Sequence, residues 1–219
     1  MLSGMSEAIR QIAESASEAY ERIAEYIVET PLERSTHFSD ATGAEVYFKL
    51  ENRQHTGSFK LRGATNRLVT LTEAQRNRGC VAASSGNHGA AVAYAMQKLG
   101  ATGVIFVPEG TSPAKVAAIR DSGGNVQFFG TDGLDTEQHA RQYADQNGLF
   151  YRSPYNDAEV IAGQGTCGIE IAEQLPDVDV VFVAVGGGGL ISGVGSVLRT
   201  VSPEVRIIGC QPEASPVMA

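Results

Sequence analysis

The chain has 219 residues, room for one large domain or two small ones, with the 42% apolar and 19% charged side chains of an ordinary globular protein. Its net charge of −8, from 25 acidic against 17 basic residues, offers no positive field for nucleic acid or an anionic membrane. The longest apolar runs, such as Val180 to Val185, have the length of strands and not of membrane spans. Met1 to Ser17 carries glutamates where a signal peptide needs an apolar core, which predicts a cytoplasmic protein. Cys80, Cys167 and Cys210 form no CxxC pair and each sits among apolar residues, so buried free thiols are expected. His37, His55, His88 and His139 lack ligand spacing, and no metal site is expected.

Ser6 to Val28 carries apolar residues at helical period and predicts an amphipathic helix ended by Thr30-Pro31. After a loop around Asp40 to Gly43, Glu45 to Leu50 alternates as a strand and leads into Thr56-Gly57-Ser58-Phe59-Lys60-Leu61-Arg62-Gly63-Ala64. Lys60 opens a helix through Leu68. Strands are then expected at Cys80 to Ala83, Thr102 to Val107, Asn125 to Phe129 and Leu149 to Tyr151, alternating with helices at Gly89 to Leu99, Pro113 to Ser122 and Leu134 to Asn147. A second group follows: a helix from about Gly165 to Gln174, a strand from Val178 to Val185, a helix from about Leu190 to Arg199 and a strand from Arg206 to Cys210. This alternation predicts an α/β fold with open, mainly parallel, twisted sheets and flanking helices joined by right-handed crossovers.

Ligands of open α/β sheets bind beyond the carboxyl ends of the strands, and three segments carry chemistry there. A lysine becomes nucleophilic when burial penalises its ammonium form, and Lys60, behind a small turn and Phe59, is placed for that. Gly186, Gly187, Gly188 and Gly189 lie between a buried strand and a helix, where bare backbone N–H groups and a helix N-terminus suit a phosphate. It is neither of the usual nucleotide versions: there is no G-x-x-x-x-G-K-[ST], and no G-x-G-x-x-G with an acidic residue about twenty positions on. Ser84, Ser85, Gly86, Asn87 and His88 offer hydroxyls, an amide and further N–H groups suited to a carboxylate or a ring hydroxyl; alternatively Asn87 or Ser85 is a simple helix cap. A nucleophilic lysine, a phosphate seat and a polar loop together suggest pyridoxal phosphate, whose aldehyde, phosphate and 3-hydroxyl each need one of the three.

With their order and separation, these segments resemble the fold type II pyridoxal-phosphate enzymes, specifically the serine/threonine dehydratase and serine racemase group. Further matches are Lys49-Leu50-Glu51-Asn52, Ala162-Gly163-Gln164-Gly165-Thr166 before the helix with Glu170, and Gln211-Pro212-Glu213. Ser-Phe-Lys-x-Arg-Gly speaks against the threonine synthases and cysteine synthases. The resemblance implies a tryptophan synthase β-like fold in which residues 1–70 and 160–219 belong to a large domain and 71–159 form a small one. It implies that Lys60 is joined to the cofactor aldehyde and later takes the substrate α-proton, with Phe59 beside the ring and Asn87 on its hydroxyl. Gly186, Gly187, Gly188, Gly189 and Leu190 would hold the phosphate, and Ser84 to His88 the substrate carboxylate.

The implied reaction is loss of the β-hydroxyl of L-threonine or L-serine, giving a 2-oxo acid and ammonia. Ser85 stands where dehydratases without racemase activity often carry alanine, so a serine racemase that also dehydrates is the alternative, with Ser85 delivering a proton to the opposite face. Against it, Gln211 stands where racemases have a glutamate cation ligand, and the aspartate expected near Val217 is missing. The group's members also continue well beyond Gln-Pro-Glu, so a cofactor-binding remnant without turnover is a further reading. At full length the resemblance implies a homo-oligomer, dimer or tetramer.

Overall fold

The structure, a computed structural model, describes residues 6–153, 155–214, 216 and 218. The first helix, α1 (Glu7–Ile23), buries Ala13, Ala16, Ala19 and Ile23 along one stripe. It stops at Ile23, short of Val28, in a turn over residues 24–26. Strand β1 (Leu32–Arg34) pairs antiparallel with β2 (Tyr47–Lys49), Leu32 facing Lys49. Between them the stretch expected to loop at Asp40 is the last turn of a short helix, α2 (Thr36–Thr42), which Ser35 caps and Gly43 ends at φ 72°. That φ lies in the left-handed region, where a residue without Cβ is unstrained.

Helix α3 (Lys60–Val69) follows a 3₁₀ turn at Glu51–Arg53. Next comes α4 (Glu73–Arg78), whose Thr72 and Gln75 form a reciprocal capping box. Strands β3 (Cys80–Ala83), β4 (Gly103–Val107), β5 (Val126–Phe128) and β6 (Phe150–Tyr151) form a parallel sheet in the order β5-β4-β3-β6. They alternate with α5 (Asn87–Lys98), α6 (Pro113–Asp121) and α7 (Gly133–Asn147). Successive strand residues point to opposite faces. Cys80, Ala82, Ile105 and Val107 therefore pack with Leu61, Leu68, Ala91, Val92 and Ile119, while Val81, Val104 and Phe106 meet Ala140 and Ala144 of α7.

The remaining elements are α8 (Ala158–Gln174), β7 (Val180–Ala184), α9 (Gly189–Val201) and β8 (Arg206–Cys210), with β7 and β8 parallel. Helix α8 begins at Ala158 and not near Gly165, because the Asp157 carboxylate accepts from the N–H groups of Glu159 and Val160. Cys167, Ile171, Val183, Val194 and Leu198 form its core, and Ala13 and Ala16 of α1 pack nearby with Val197. One face of the β7–β8 ladder is bare: Phe182 is 69% exposed, and Ala184 and its register partner Cys210 are exposed too. Cys80 and Cys167 are buried thiols as expected, but Cys210 is not, since it falls on that uncovered face.

Helix α8 is gripped backbone to backbone. A Cβ on Gly163 would lie 2.6 Å from both the Arg62 carbonyl oxygen and Gly63 Cα, and one on Gly193 would lie 2.4 Å from the Ile161 carbonyl oxygen. Neither neighbour is a movable side chain end, so Gly163→Ala must push α3 and α8 apart. The expected loss is about 1–3 kcal/mol of unfolding free energy, read as a lower urea midpoint; an unchanged midpoint would show that the crossing tolerates the methyl.

Candidate active site

Lys60 is the first residue of α3, half buried, with Nζ 5.2 Å from the centroid of the Phe59 ring. Burial holds its amine below the usual lysine range, the direction a nucleophile needs. Across from it lies the start of α5. His88, 95% buried, sits with Nε2 3.2 Å from the Arg152 carbonyl oxygen, and its pKa is lowered to about 4. Desolvation is the main cause; the Arg152 carbonyl opposes it, and the Lys60 charge adds to it. The sequence-predicted polar loop and the predicted lysine are thus electrostatic neighbours.

The loop keeps its helix end open. Gly86 is the N-cap of α5, and among the described residues no side chain caps it, so the alternative that Asn87 or Ser85 merely caps the helix does not hold. Ser84 Oγ accepts from the Gly86 N–H at 3.2 Å; Ser84 and Ser85 are half buried and Asn87 is exposed. The N-terminus of α9 repeats the arrangement: Gly188 is its N-cap at φ 82°, again without a described side-chain cap. Side chains do cap α2, α4, α7 and α8, through Ser35, Thr72, Asp132 and Asp157, while α1, α3 and α6 also lack a described side-chain cap. Bare N–H groups at a helix start form an anion seat, and the tetraglycine fits a phosphate on that ground. A Cβ on Gly186 would meet nothing within 4 Å, leaving that side open to a ligand.

Two residues beside the cradle were not foreseen. The Tyr155 ring packs so closely on Gly187 that a Cβ there would fall 2.3 Å from Tyr155 Cγ, and the Met218 methyl would lie 3.0 Å from one on Gly188. Tyr155 precedes the cap of α8 by two residues, and nothing in the local pattern marks it. Through it the start of α8 touches the tetraglycine, while the body of α8 crosses α3 behind Lys60. Leu190 is half buried in the first turn of α9. The aspartate expected near Val217 falls on a residue outside those described, and Gln211 accepts the Met218 N–H at 2.9 Å. Among the described residues no group of three or more His, Cys, Asp or Glu could hold a metal ion.

A half-buried amine, a polar loop and an uncapped glycine cradle define a protein built for an aldehyde-bearing phosphate cofactor. Residues 23–219 match the family model described as pyridoxal-phosphate dependent enzyme, and the chain belongs to that family. It is 43% identical over 196 residues to the catabolic L-threonine dehydratase of Escherichia coli, a match covering 90% of this chain and 60% of that protein. Among solved structures it is similar to the processed form of threonine deaminase isoform 2 from Solanum lycopersicum, with TM-score 0.94, 37% identity, and 98% of this chain and 59% of that one covered. Maize serine racemase is also similar, with TM-score 0.90, 35% identity, and 93% and 62% covered. The chain therefore spans about three fifths of the length of these proteins.

The buried histidine sets a pH dependence. With a folded pKa of about 4 against 6.5, the unfolded chain takes up the proton first, so His88 contributes stability that is complete above about pH 6.5 and lost as the pH falls to about 4. In His88→Gln, whose amide can still donate to the Arg152 carbonyl, the fall in urea stability over that window is expected to be smaller. Equal slopes in the two proteins would assign the acid sensitivity elsewhere.

Proposed function

We propose that this chain forms the cofactor-binding part of a pyridoxal-phosphate ammonia-lyase that removes the β-hydroxyl of L-threonine or L-serine, giving a 2-oxo acid and ammonia. The observation that carries the reading is the desolvated Lys60 amine beside the uncapped start of α5. The dehydratase and deaminase relatives support the substrate class. Residues 1–70 with 160–219, and residues 71–159, are the two bodies between which the cofactor would sit. The complete protein is proposed to act in the cytoplasm as a dimer or tetramer; among the described residues no helix is long and apolar enough to cross a membrane.

Pyridoxal phosphate, when bound, supplies an aldehyde for amines and a ring that accepts the electrons released at the substrate α-carbon. The chain's own residues do the rest. Gly186, Gly187, Gly188 and Gly189, with the Leu190 N–H, would hold the phosphate at the start of α9; Phe59 would lie beside the ring and Asn87 would serve its hydroxyl. Ser84, Ser85, Gly86, Asn87 and His88 orient the substrate carboxylate on the N–H groups of α5, with His88 kept neutral by burial. Lys60 Nζ, less basic than a solvated lysine, would take the α-proton and, as the ammonium so formed, could give a proton to the departing β-hydroxyl, which leaves as water.

Ser85 favours a second reading, racemisation of serine, in which its hydroxyl returns a proton to the opposite face. Borohydride reduction after adding pyridoxal phosphate is expected to fix the cofactor's mass on Lys60, and Lys60→Ala to abolish both that adduct and formation of 2-oxo acid from L-threonine while the fold persists. Turnover retained in Lys60→Ala would remove Lys60 from the chemistry. D-serine accumulating faster than 2-oxo acid from L-serine would favour the racemase.

A further inference from the structure

Segments far apart in the chain meet in a buried ionic cluster behind Lys60. Arg62, wholly buried, donates Nε to Glu51 Oε2 at 2.8 Å and Nη2 to Glu51 Oε1 at 2.7 Å. The same guanidinium reaches both Glu170 oxygens, and Nη1 also donates to Thr166 Oγ1 at 3.1 Å. Lys49 Nζ pairs with Glu170 and donates to Gln174 Oε1 at 2.9 Å. Two cations face two carboxylates, and all five guanidinium N–H groups are engaged.

Packing alone does not call for this arrangement. Removing four charges from water offsets much of their attraction, so apolar side chains would hold the same helices together as well. What a guanidinium adds is direction: its planar fork, locked by two carboxylates, fixes the rotation of the helical turn it grows from. That turn carries Lys60. Two positions apart on an α-helix, side chains leave the axis about 200° apart, so Arg62 reaches back to the 3₁₀ turn and α8 while Lys60 faces the start of α5. The turn starts at Phe59 with no described side-chain cap, and its backbone is tied by the Leu61 N–H to the Ser58 carbonyl at 3.4 Å and the Arg62 N–H to the Phe59 carbonyl at 3.1 Å. At Gly63 and Gly163 the two backbones are already in contact, so a change in rotation of α3 has no slack to absorb it.

We propose that Arg62, clamped by Glu51 and Glu170, is a positioning residue that sets where the Lys60 amine stands relative to the cofactor aldehyde. This rests on the reading of Lys60 given above. Arg62 touches neither cofactor nor substrate in this scheme; it acts through the turn it holds.

The test separates joining from binding in the full chain. Pyridoxal phosphate must reach Lys60 covalently, whereas pyridoxine 5′-phosphate has the ring and phosphate but no aldehyde, and reports the seat alone. Arg62→Lys keeps the charge and loses the fork. The rate of borohydride-trapped labelling of Lys60, located by peptide mass against Lys49, Lys98 and Lys115, is expected to fall at least about tenfold, as a misplaced reacting group does. The calorimetric dissociation constant for pyridoxine 5′-phosphate is expected to stay unchanged. Labelling at the wild-type rate overturns the proposal. So does a parallel loss of both, which would make Arg62 a brace for the fold. If Arg62→Lys fails to fold, Thr166→Val removes one acceptor from Nη1 and is expected to give a smaller fall in labelling with the same unchanged seat; no fall there likewise overturns it. A wild-type chain that binds neither compound overturns the cofactor reading itself, and the inference with it.

Discussion

The crossing of α3 and α8 at Gly63 and Gly163 is the constraint on which the site depends. Two helices without side chains at the contact approach until carbonyl and Cα meet, and that depth brings the flanking residues into register. On one side it lets Arg62 reach Glu170 and Thr166 with no apolar residue between them. Arg67 reaches Asp157 at 2.8 Å, and Asn66 donates to the Glu159 carbonyl at 2.7 Å, tying α3 to the start of α8. Just before that start, Tyr155 lies on Gly187. The lysine turn and the glycine cradle, 126 positions apart (186 − 60), are thus linked through one helix.

The site also depends on what the helix starts leave unpaired. A serine, threonine or aspartate side chain closes the start of α2, α4, α7 and α8, while α1 and α6 begin at Ser6 and Ser112 with no described side-chain cap. At α5 and α9 the caps are glycines, and the N–H groups stay available to an anion. Burial lowers the basicity of Lys60 and keeps His88 neutral, so the site presents backbone donors, a neutral imidazole and an amine less basic than a solvated lysine.

Much of this was legible from pattern. Every strand of the four-stranded sheet, and the helices between, followed from apolar period and turn residues, because local periodicity reports which face a segment buries. The misses have separate causes. Helices α2 and α4 are short and polar, so their evidence lies in caps such as Thr72 with Gln75 rather than in a stripe. The early start of α8 was hidden because Asp157 reads as a loop residue until its carboxylate is seen on two N–H groups. Cys210 looks buried in an apolar strand, but its exposure depends on whether anything covers that face of the β7–β8 ladder, which no neighbouring residue encodes.

The sequence by itself determined the α/β order, the family, and the chemical types at the site: an amine after a flexible turn, hydroxyls and an amide at one helix start, four bare peptides at another. These are properties of short segments, and composition with spacing suffices to express them. Tertiary structure alone decided that Lys60 is desolvated, that His88 turns its ring to the Arg152 carbonyl, that Tyr155 covers Gly187, and that Arg62 is enclosed by two carboxylates. Each depends on atoms from segments distant in the chain, and the dielectric around a charge is set by whatever folds over it rather than by its neighbours in sequence.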